Sequence, residues 1–567
     1  MRKKLIASAV AVAIALVLLL PLSMMMEHAK SHADQTAEAL VKPVLDIHNQ
    51  VIADAAQAGA AVGGLIELED AWAIEDIREE SWDPLVTQMV NGGDVLGFDR
   101  ESNTFYCTLG LETGEAWPEL KLAAKNVPDG IEIRLVDDYT YDWCADAIRE
   151  GYRYELLAYT DTQFSYFGLV FTGLPLVSLH TDPSLEMTDE YIPARAAVSA
   201  QGFEPIDSAA KVHLRGGGFT KSIDKKSYRV EFHTINEKGR DKQKDVSLLD
   251  MEADSDWLLI GNPSDVTGVR NHLCWDLWRK WNPKGDVPGY LDSKLVEVFL
   301  NDEYLGLYQL MQRYDIDEEI ERMGGNLNTD YVYRVIREMN VDKERPAVDY
   351  QQRALFHIEL RRKPDRASVD KAFELIEDYV LMNHMQNPIG DEEFARLVKE
   401  HIDVEELMRY YLFHQAADLS DDNVYNNLYV WMKREKDGGY TYRLSPWDMD
   451  FGLTVRSWEE GKEDQMCLMM PLPRRILDMN IGGSRQIIWD LWNQVRSGML
   501  SDDGVYQWIG DLEEMVNASG AYLRDSEKWY GAADTLDLSQ MTANEVAHMA
   551  TIERHMREMW PLEDAAQ

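Results

Sequence analysis

The alternation of apolar and polar residues along the chain predicts a mixture of strands and helices. Period-two alternation is typical of half-buried strands, and it occurs in IEIRLV, RYELLAYT and KSYRVEF. Helical spacing occurs from about Gly268 to Trp281, where Leu273, Leu277 and Trp281 form one packing stripe. Because both periodicities recur, we predict an α+β fold.

The first part of the pattern predicts an export segment followed by a separate module. A basic MRKK opening precedes a charge-free, mostly apolar run of 22 residues from Leu5 to Met26, which identifies residues 1–33 as a signal peptide or an N-terminal membrane anchor. Either outcome places the rest of the chain outside the cytoplasm, secreted or membrane-anchored. Alanine-rich helical periodicity from Asp34 to about Gly64, then mixed strands and short helices, predict an α+β module over residues 34–172.

The remaining chain divides into a part with candidate chemistry and a helical end. Residues 173–483 contain the polar motifs described below. Residues 484–567 have a helical pattern, with Trp489, Leu491 and Trp492 close together, and we predict that they pack on the preceding part.

Composition changes this picture mainly through charge. The 567 residues carry 100 acids and 57 bases, a formal net charge of -43, which excludes nucleic acid as a partner and suits a basic protein. The four cysteines lack metal-site spacing. Cys107 and Cys144 are either a disulfide or two buried thiols, and the sequence leaves both open.

A glycine-rich turn between two predicted strands is the first candidate binding element. Gly216–Gly218 stand in LRGGGFTKSIDKKSYRVEF, and glycine lets a backbone approach a phosphate closely. In the second strand Lys226 shares the apolar face of Tyr228, Val230 and Phe232, so its ammonium needs an anion unless it reaches solvent at the strand's start. Either a flexible hairpin or a phosphate site fits this pattern.

Acids and amides cluster in the last third of the 173–483 part. Asp403 is placed to cap a helix, which is followed by DDNVYNN, where Asp422 and Asn427 lie five positions apart. The stretch YRLSPWDMDFGLTV then sets Asp448 and Asp450 beyond a strand. Carboxylates there are costly to bury without a cation, and hard divalent cations prefer such oxygens.

Taken in order, these motifs resemble the CotH family of atypical, kinase-like proteins. The matching blocks are LRGGGFTKSIDKKSYRVEF, DWLLIGNPSDVTGVRN, VFLNDEYLGLYQLMQRYDID, DDNVYNNLYVW and LSPWDMDFG, within about Leu174 to Val455. The resemblance implies a bilobal protein-kinase-like fold and transfer of the γ-phosphate of ATP to Ser or Thr of a surface or coat protein, with Mg²⁺ or Mn²⁺. It implies the following roles: Asp422 as catalytic acid; Asn427, Asp448 and Asp450 as metal ligands; Arg215, Gly216, Gly217, Lys226, Arg270 and Gln312 as nucleotide-binding residues.

The sequence also departs from the family pattern and leaves alternatives open. Gln312 stands where a glutamate is usual. The helix after the glycine turn has no glutamate to pair with Lys226, and its only acid, Asp276, has a short side chain. Asp418 and Asp421 compete with Asp422 as the catalytic acid. A catalytically inactive scaffold of the cell surface or spore coat is the first alternative function, and a carbohydrate-binding wall protein, indicated by the many Trp and Tyr residues, is the second.

Overall fold

The computed structural model describes the greater part of the chain from residue 42 onward. The described residues are 42–110, 117–136, 141, 143–216, 222–236, 238–283, 285–335, 356–359, 366–383, 389–419, 427–453 and 470–562. The predicted N-terminal apolar helix therefore lies outside them. Among the described helices, none combines the length and the apolar character needed to cross a bilayer.

The N-terminal part is a module built on a ten-stranded mixed sheet. A helix α1 over residues 42–56 comes first, and α2 (Leu68–Glu75) and α3 (Cys144–Arg149) are short. The sheet runs in the order β4-β3-β7-β1-β8-β9-β10-β6-β5, with β2 beside β10. Its strands are β1 (Ala60–Leu65), β2 (Glu79–Glu80), β3 (Met89–Asn91), β4 (Asp94–Val95), β5 (Gly97–Asp99), β6 (Thr104–Thr108), β7 (Leu122–Ala124), β8 (Glu132–Leu135), β9 (Arg153–Tyr159) and β10 (Gln163–Thr172).

Two sequence predictions about this module are settled by the structure. The prediction that the first helix extends to about Gly64 is wrong. Helix α1 ends at residue 56, and the residues from Ala60 form β1, which pairs with both β7 and β8. Tertiary pairing overrides the helical preference of an alanine-rich segment here. Cys107 and Cys144 are both buried thiols, so the disulfide alternative is wrong.

The next seven strands close into a ring. Each pairs with two neighbours in the cyclic order β11-β12-β13-β14-β16-β18-β17, and β17 returns to β11 through the ring's one parallel pairing. A short β15 extends one end of β14. The strands are β11 (Leu176–Thr181), β12 (Ile192–Ser199), β13 (Ile206–Arg215), β14 (Ser227–Ile235), β15 (Asp241–Gln243), β16 (Asp256–Ile260), β17 (Ser293–Leu300) and β18 (Glu303–Gln312).

Side-chain alternation gives the ring two buried faces. Trp257 and Leu259 of β16 belong to the inner core, while Leu258 and Ile260 belong to the larger core outside. The inner space is filled because large rings such as Trp257 face small side chains, among them Ala196 on β12. A strand buried on both faces positions its backbone firmly, which matters for the strand ends that border the site.

Outside the ring, one core joins a four-stranded antiparallel sheet to all the later helices. The sheet has the order β20-β19-β21-β22. Its strands are β19 (Tyr331–Val335), β20 (Phe356–Glu359), β21 (Leu428–Arg434) and β22 (Tyr440–Pro446). The helices are α4 (Arg270–Trp281), α5 (Ile316–Arg322), α6 (Arg366–Met382), α7 (Asp391–His401), α8 (Val404–Ala416), α9 (Pro471–Asp478), α10 (Ser484–Arg496), α11 (Asp502–Ala518), α12 (Ala521–Tyr530) and α13 (Ser539–Met559).

The caps of these helices follow the sequence signals. The Asp403 carboxylate accepts a hydrogen bond from the N–H of Glu406, as predicted for the start of α8. At α4, Asp265 accepts from the N–H groups of Thr267 and Arg270 at 3.0 and 2.9 Å. Helix α4 thus starts two residues later than predicted, with Val269 at its N-cap position and the Asp265 carboxylate bound to the N–H of its first residue.

A buried ionic junction joins the module, the ring and the C-terminal helices. Glu297 of β17 is fully buried and accepts two hydrogen bonds from the Arg524 guanidinium of α12, at 2.9 and 2.8 Å. The same guanidinium donates to the Thr172 hydroxyl at the end of β10, and Tyr304 donates to Glu297 at 2.7 Å. Because the Arg524 and Glu297 charges are paired through two hydrogen bonds, the junction fixes three parts of the chain to one another.

The α+β prediction is confirmed, since the described residues form both strands and helices, with a run of strands from β9 to β16 and a run of helices from α9 to α13.

Candidate functional site

A cleft of about 590 Å³ opens between one end of the ring and the four-stranded sheet. Ring strands β13, β14 and β16 supply one wall, and the residues just after β18, the start of β21 and the turn after β22 supply the other. The volume is in the range of sites for nucleotide-sized ligands. Its lining includes Asp189, His213, Leu214, Arg215, Gly216, Ser227, Arg229, Leu258, Ile260, Asn262, Pro263, Arg313, Tyr314, Tyr429, Trp447, Asp448 and Asp450.

The predicted glycine turn borders this cleft. Strands β13 and β14 form a hairpin in which Arg215 pairs with Ser227. Gly216 has a φ of 109°, a conformation that side chains disfavour, so glycine is required at this position. The Arg215 guanidinium carbon lies 5.7 Å from the centroid of the Trp447 ring, across the cleft from the hairpin. Gly217 lies outside the described residues.

The two lysines that begin β14 have different surroundings. Lys226 is half-buried, and its ammonium donates to the carbonyl oxygen of Ile223. Lys225 is buried, and its Nζ donates to Oδ1 of Asp525 in α12 at 2.7 Å. The sequence analysis missed this pair, because nothing local in KSIDKKSY indicates an acid 300 positions later.

The acidic turn that follows β22 is held by its own backbone and by helix α8. The N–H of Gly452 donates to the Met449 carbonyl at 3.0 Å, and the N–H of Leu453 donates to the Ala417 carbonyl at 2.8 Å. A Cβ on Gly452 would lie 2.5 Å from Sγ of Cys274. Glycine is therefore required after Phe451 for close packing rather than for its φ angle.

The two acids of this turn both face the cleft. Asp448 has a φ of 53°, a left-handed conformation that Asp tolerates better than most residues. Burial, together with the negative charges of Asp448 and Asp265, raises the pKa of the Asp450 carboxyl to about 7. The site therefore concentrates negative charge in a poorly solvated place, where a cation would be favoured.

Asn427 lies at the base of the same turn, at the entry to β21. Its carbonyl oxygen accepts from the N–H of Trp447 at 3.2 Å, one residue before Asp448. The Asn427 backbone thus lies next to the residue that precedes Asp448, while Asn427 is not among the residues that line the cleft, and its role as a metal ligand stays a prediction. Within the described part of the chain, no three His, Cys, Asp or Glu side chains group closely enough to form a complete metal site.

A cluster of three largely buried aromatic rings lines part of the cleft. The Tyr314 and Tyr429 rings stack with centroids 4.1 Å apart and planes 3° from parallel. Trp447 contacts Tyr429 edge-on at 5.8 Å. Together with Leu258 and Ile260 of β16, these rings provide an apolar surface of the kind that a planar heterocycle contacts. Sequence reasoning missed it, because the three aromatic residues come from separate elements.

Three of the predicted nucleotide-binding residues, Lys226, Arg270 and Gln312, do not line the cleft. Arg270 is in the first turn of α4, with its Nε 3.6 Å from Oδ1 of Asp265. The side-chain amide of Gln312 donates to the carbonyl oxygen of Glu252 at 3.0 Å, while its neighbour Arg313 lines the cleft. Their roles in nucleotide binding stay predictions.

Of the candidate catalytic acids, the structure describes Asp418 only. Asp418 is buried at the end of α8 and does not line the cleft. It contributes to the raised pKa of Glu545 in α13, whose main cause is burial, so the two carboxyl groups are near each other. Asp421 and Asp422 lie outside the described residues. The preference for Asp422, based on its interval to Asn427, stays a prediction.

A family model described as CotH kinase protein matches residues 212–559, more than half of the chain. The matched range contains the glycine turn, the acidic turn and the C-terminal helices that pack behind them. No curated protein matches the chain.

Proposed function

The chain belongs to the CotH kinase family, and we propose that it is an atypical, metal-dependent protein kinase that transfers the γ-phosphate of ATP to Ser or Thr of a protein. We further propose that the ring and the sheet-and-helix part correspond to the small and large lobes of a kinase. The export-type N-terminus favours an extracytoplasmic site of action, secreted or membrane-anchored.

The observation that carries the proposal is the pair of carboxylates at the mouth of the cleft. Asp448 and Asp450 are two residues apart and line the cleft, and burial with mutual repulsion raises the pKa of Asp450 to about 7. Two hard oxygen donors with too little positive charge around them fit Mg²⁺ or Mn²⁺. Asn427, Asp448 and Asp450 would hold the ion, which when bound neutralises charge on phosphate oxygens.

The rest of the cleft suits the other groups of the nucleotide. We propose that the glycine hairpin and Arg215, which border the cleft, contact the phosphates together with Lys226, and that the rings of Tyr314, Tyr429 and Trp447 contact the nucleobase. Asp422, five positions before Asn427, is the proposed acceptor of the substrate hydroxyl proton. The net charge of -43 favours a basic protein substrate.

Phosphotransfer is tested with the full-length protein, labelled ATP and either Mg²⁺ or Mn²⁺. A generic basic protein serves as an added acceptor. We expect label in protein for wild type, and its loss in both Asp422→Asn and Asp448→Ala. Retention of metal-dependent transfer by Asp448→Ala would overturn the metal assignment. Glu303→Gln is the control variant, because Glu303 is exposed at the end of β18 away from the cleft, and this variant should transfer label as wild type does.

An inactive scaffold is the second candidate, and one observation favours it. Asp276, the acid of α4 that could have paired with Lys226, instead pairs with Lys280 at 2.7 Å and accepts from the Trp508 indole at 2.9 Å. A thermal-shift titration with ATP and Mn²⁺ separates the two candidates. A rise in Tm supports nucleotide binding, and no change at millimolar ATP supports the scaffold.

A further inference from the structure

One buried amide connects the acidic turn to the ring. Asn271, in the first turn of α4, is 1% exposed. Its Oδ1 accepts a hydrogen bond from the backbone N–H of Met449 at 2.9 Å. Its Nδ2 donates to Oε1 of Gln309 at 2.7 Å, and Gln309 is fully buried in β18.

The position of Met449 gives this contact its significance. Met449 is the residue between Asp448 and Asp450, so a bond to its N–H restrains the backbone from which both carboxylates extend. Strand β18 is paired on both sides, with β16 and β17, and is therefore a rigid support. A single side chain thus joins the turn, α4 and the closed ring.

The chemistry of the contact suits asparagine best. The side chain at position 271 must accept from one buried group and donate to another, and a primary amide does both without charge. Aspartate would keep the acceptor but lose the donor, and would add a negative charge near Asp265 and Asp450. Alanine would leave the Met449 N–H and the Gln309 oxygen buried without this partner, which is costly.

We propose that Asn271 is a positioning residue that sets the Asp448–Asp450 turn in its cation-binding geometry. The inference rests on the proposed function, because it presupposes that this turn binds the divalent ion. Residues that orient metal ligands typically change metal affinity by about 10–100-fold when they are replaced. Replacing Asn271 should therefore weaken ion binding by more than a comparable loss of stability elsewhere in the helix does.

The test measures Mn²⁺ binding to the full-length protein by isothermal titration calorimetry, without nucleotide, beside the Tm of each variant. Asn282→Ala is the matched control. Asn282 follows the last residue of the same helix, is 2% exposed, and donates its amide hydrogen to the Trp278 carbonyl at 2.9 Å. Both alanine variants lose a buried amide, but only one loses contact with the turn.

We expect Asn271→Ala to weaken Mn²⁺ binding by at least about tenfold, with Asn282→Ala unchanged in affinity even where its Tm falls as far. Equal Mn²⁺ affinity in wild type and Asn271→Ala would overturn the inference while leaving the proposed function intact. Absence of Mn²⁺ binding to wild type, both in this titration and in a repeat with ADP present, would overturn the proposed function.

A second variant decides the matter if Asn271→Ala does not fold. Gln309→Met removes the oxygen that orients the Asn271 amide and keeps the volume of the side chain. We expect a several-fold loss of Mn²⁺ affinity with a melting transition that stays cooperative. Wild-type affinity in Gln309→Met would then overturn the positioning role.

Discussion

Oδ1 of Asp525 accepts hydrogen bonds from Nζ of Lys225 and from the N–H of Leu307, each at 2.7 Å. The two side chains are 7% and 3% exposed, so this pair holds helix α12 against the strand that follows the glycine turn. Gly306, with a φ of 100°, makes the approach possible, because a Cβ there would lie 2.1 Å from the Asp525 oxygen.

Replacing Asp525 by asparagine is expected to destabilise the protein by about 3–5 kcal/mol, because a buried ammonium loses its counter-charge. The free energy of unfolding from urea titrations measures this. Glu303→Gln is the matched control in the same interface. It breaks the Lys528–Glu303 pair, whose acid is 60% exposed, and should cost less than about 1 kcal/mol. Equal losses would show that burial of the pair does not govern its strength.

Gly452→Ala is expected to lower stability by about 1–3 kcal/mol through overpacking against Cys274. Gly510→Ala provides a control of opposite sign, since Gly510 lies inside α11 and a Cβ there meets nothing within 4 Å. That change should raise stability by about 0.5–1 kcal/mol. Adding Cys274→Ala to Gly452→Ala should recover part of the loss, and no recovery would contradict the assigned clash.

The raised pKa of Asp450 predicts how the metal-free protein responds to pH. The folded state favours the protonated carboxyl, so this shift contributes stability that is full below about pH 4 and lost as the pH rises through about 7. Asp450→Asn removes this loss. We therefore expect the free energy of unfolding of Asp450→Asn, relative to that of wild type, to increase between pH 5 and pH 8. Parallel pH profiles would contradict the shift.

The buried thiols predict the outcome of a thiol titration with Ellman's reagent. Burial raises the pKa of Cys107 to about 12 and that of Cys274 well above its ordinary value, and Cys144 is buried too. The folded protein should therefore react quickly at no more than one of its four cysteines. In urea all four should react, and a count of two would indicate a Cys107–Cys144 disulfide.

Local sequence patterns correctly predicted those elements whose determining contacts are close in sequence. The glycine hairpin, the Asp403 cap and the strand before Asp448 follow from turn residues, capping residues and alternation, and the structure has all three. The proximity of Asn427 to Asp448 follows from the hairpin of β21 and β22.

Contacts between distant segments had no such signal. The Asp525 partner of Lys225, the Asn271 bond to Met449 and the stacked Tyr314 and Tyr429 rings depend on how separate elements pack, and periodicity within one element does not encode that. The strand at Ala60–Leu65 was missed for the same reason, because its pairing with β7 and β8 outweighs the helical preference of alanine.

The closed ring limits where the protein can be shortened. Residues 212–559, the range of the family match, begin inside β13 and omit β11 and β12. A fragment with those ends would leave β17 without β11 and the remaining piece of β13 without β12, with open backbone donors and acceptors along apolar edges. Such edges recruit other chains, so the fragment should aggregate. Expression and purification should therefore keep the segment from Leu176 onward and, because Thr172 holds Arg524, the preceding module as well.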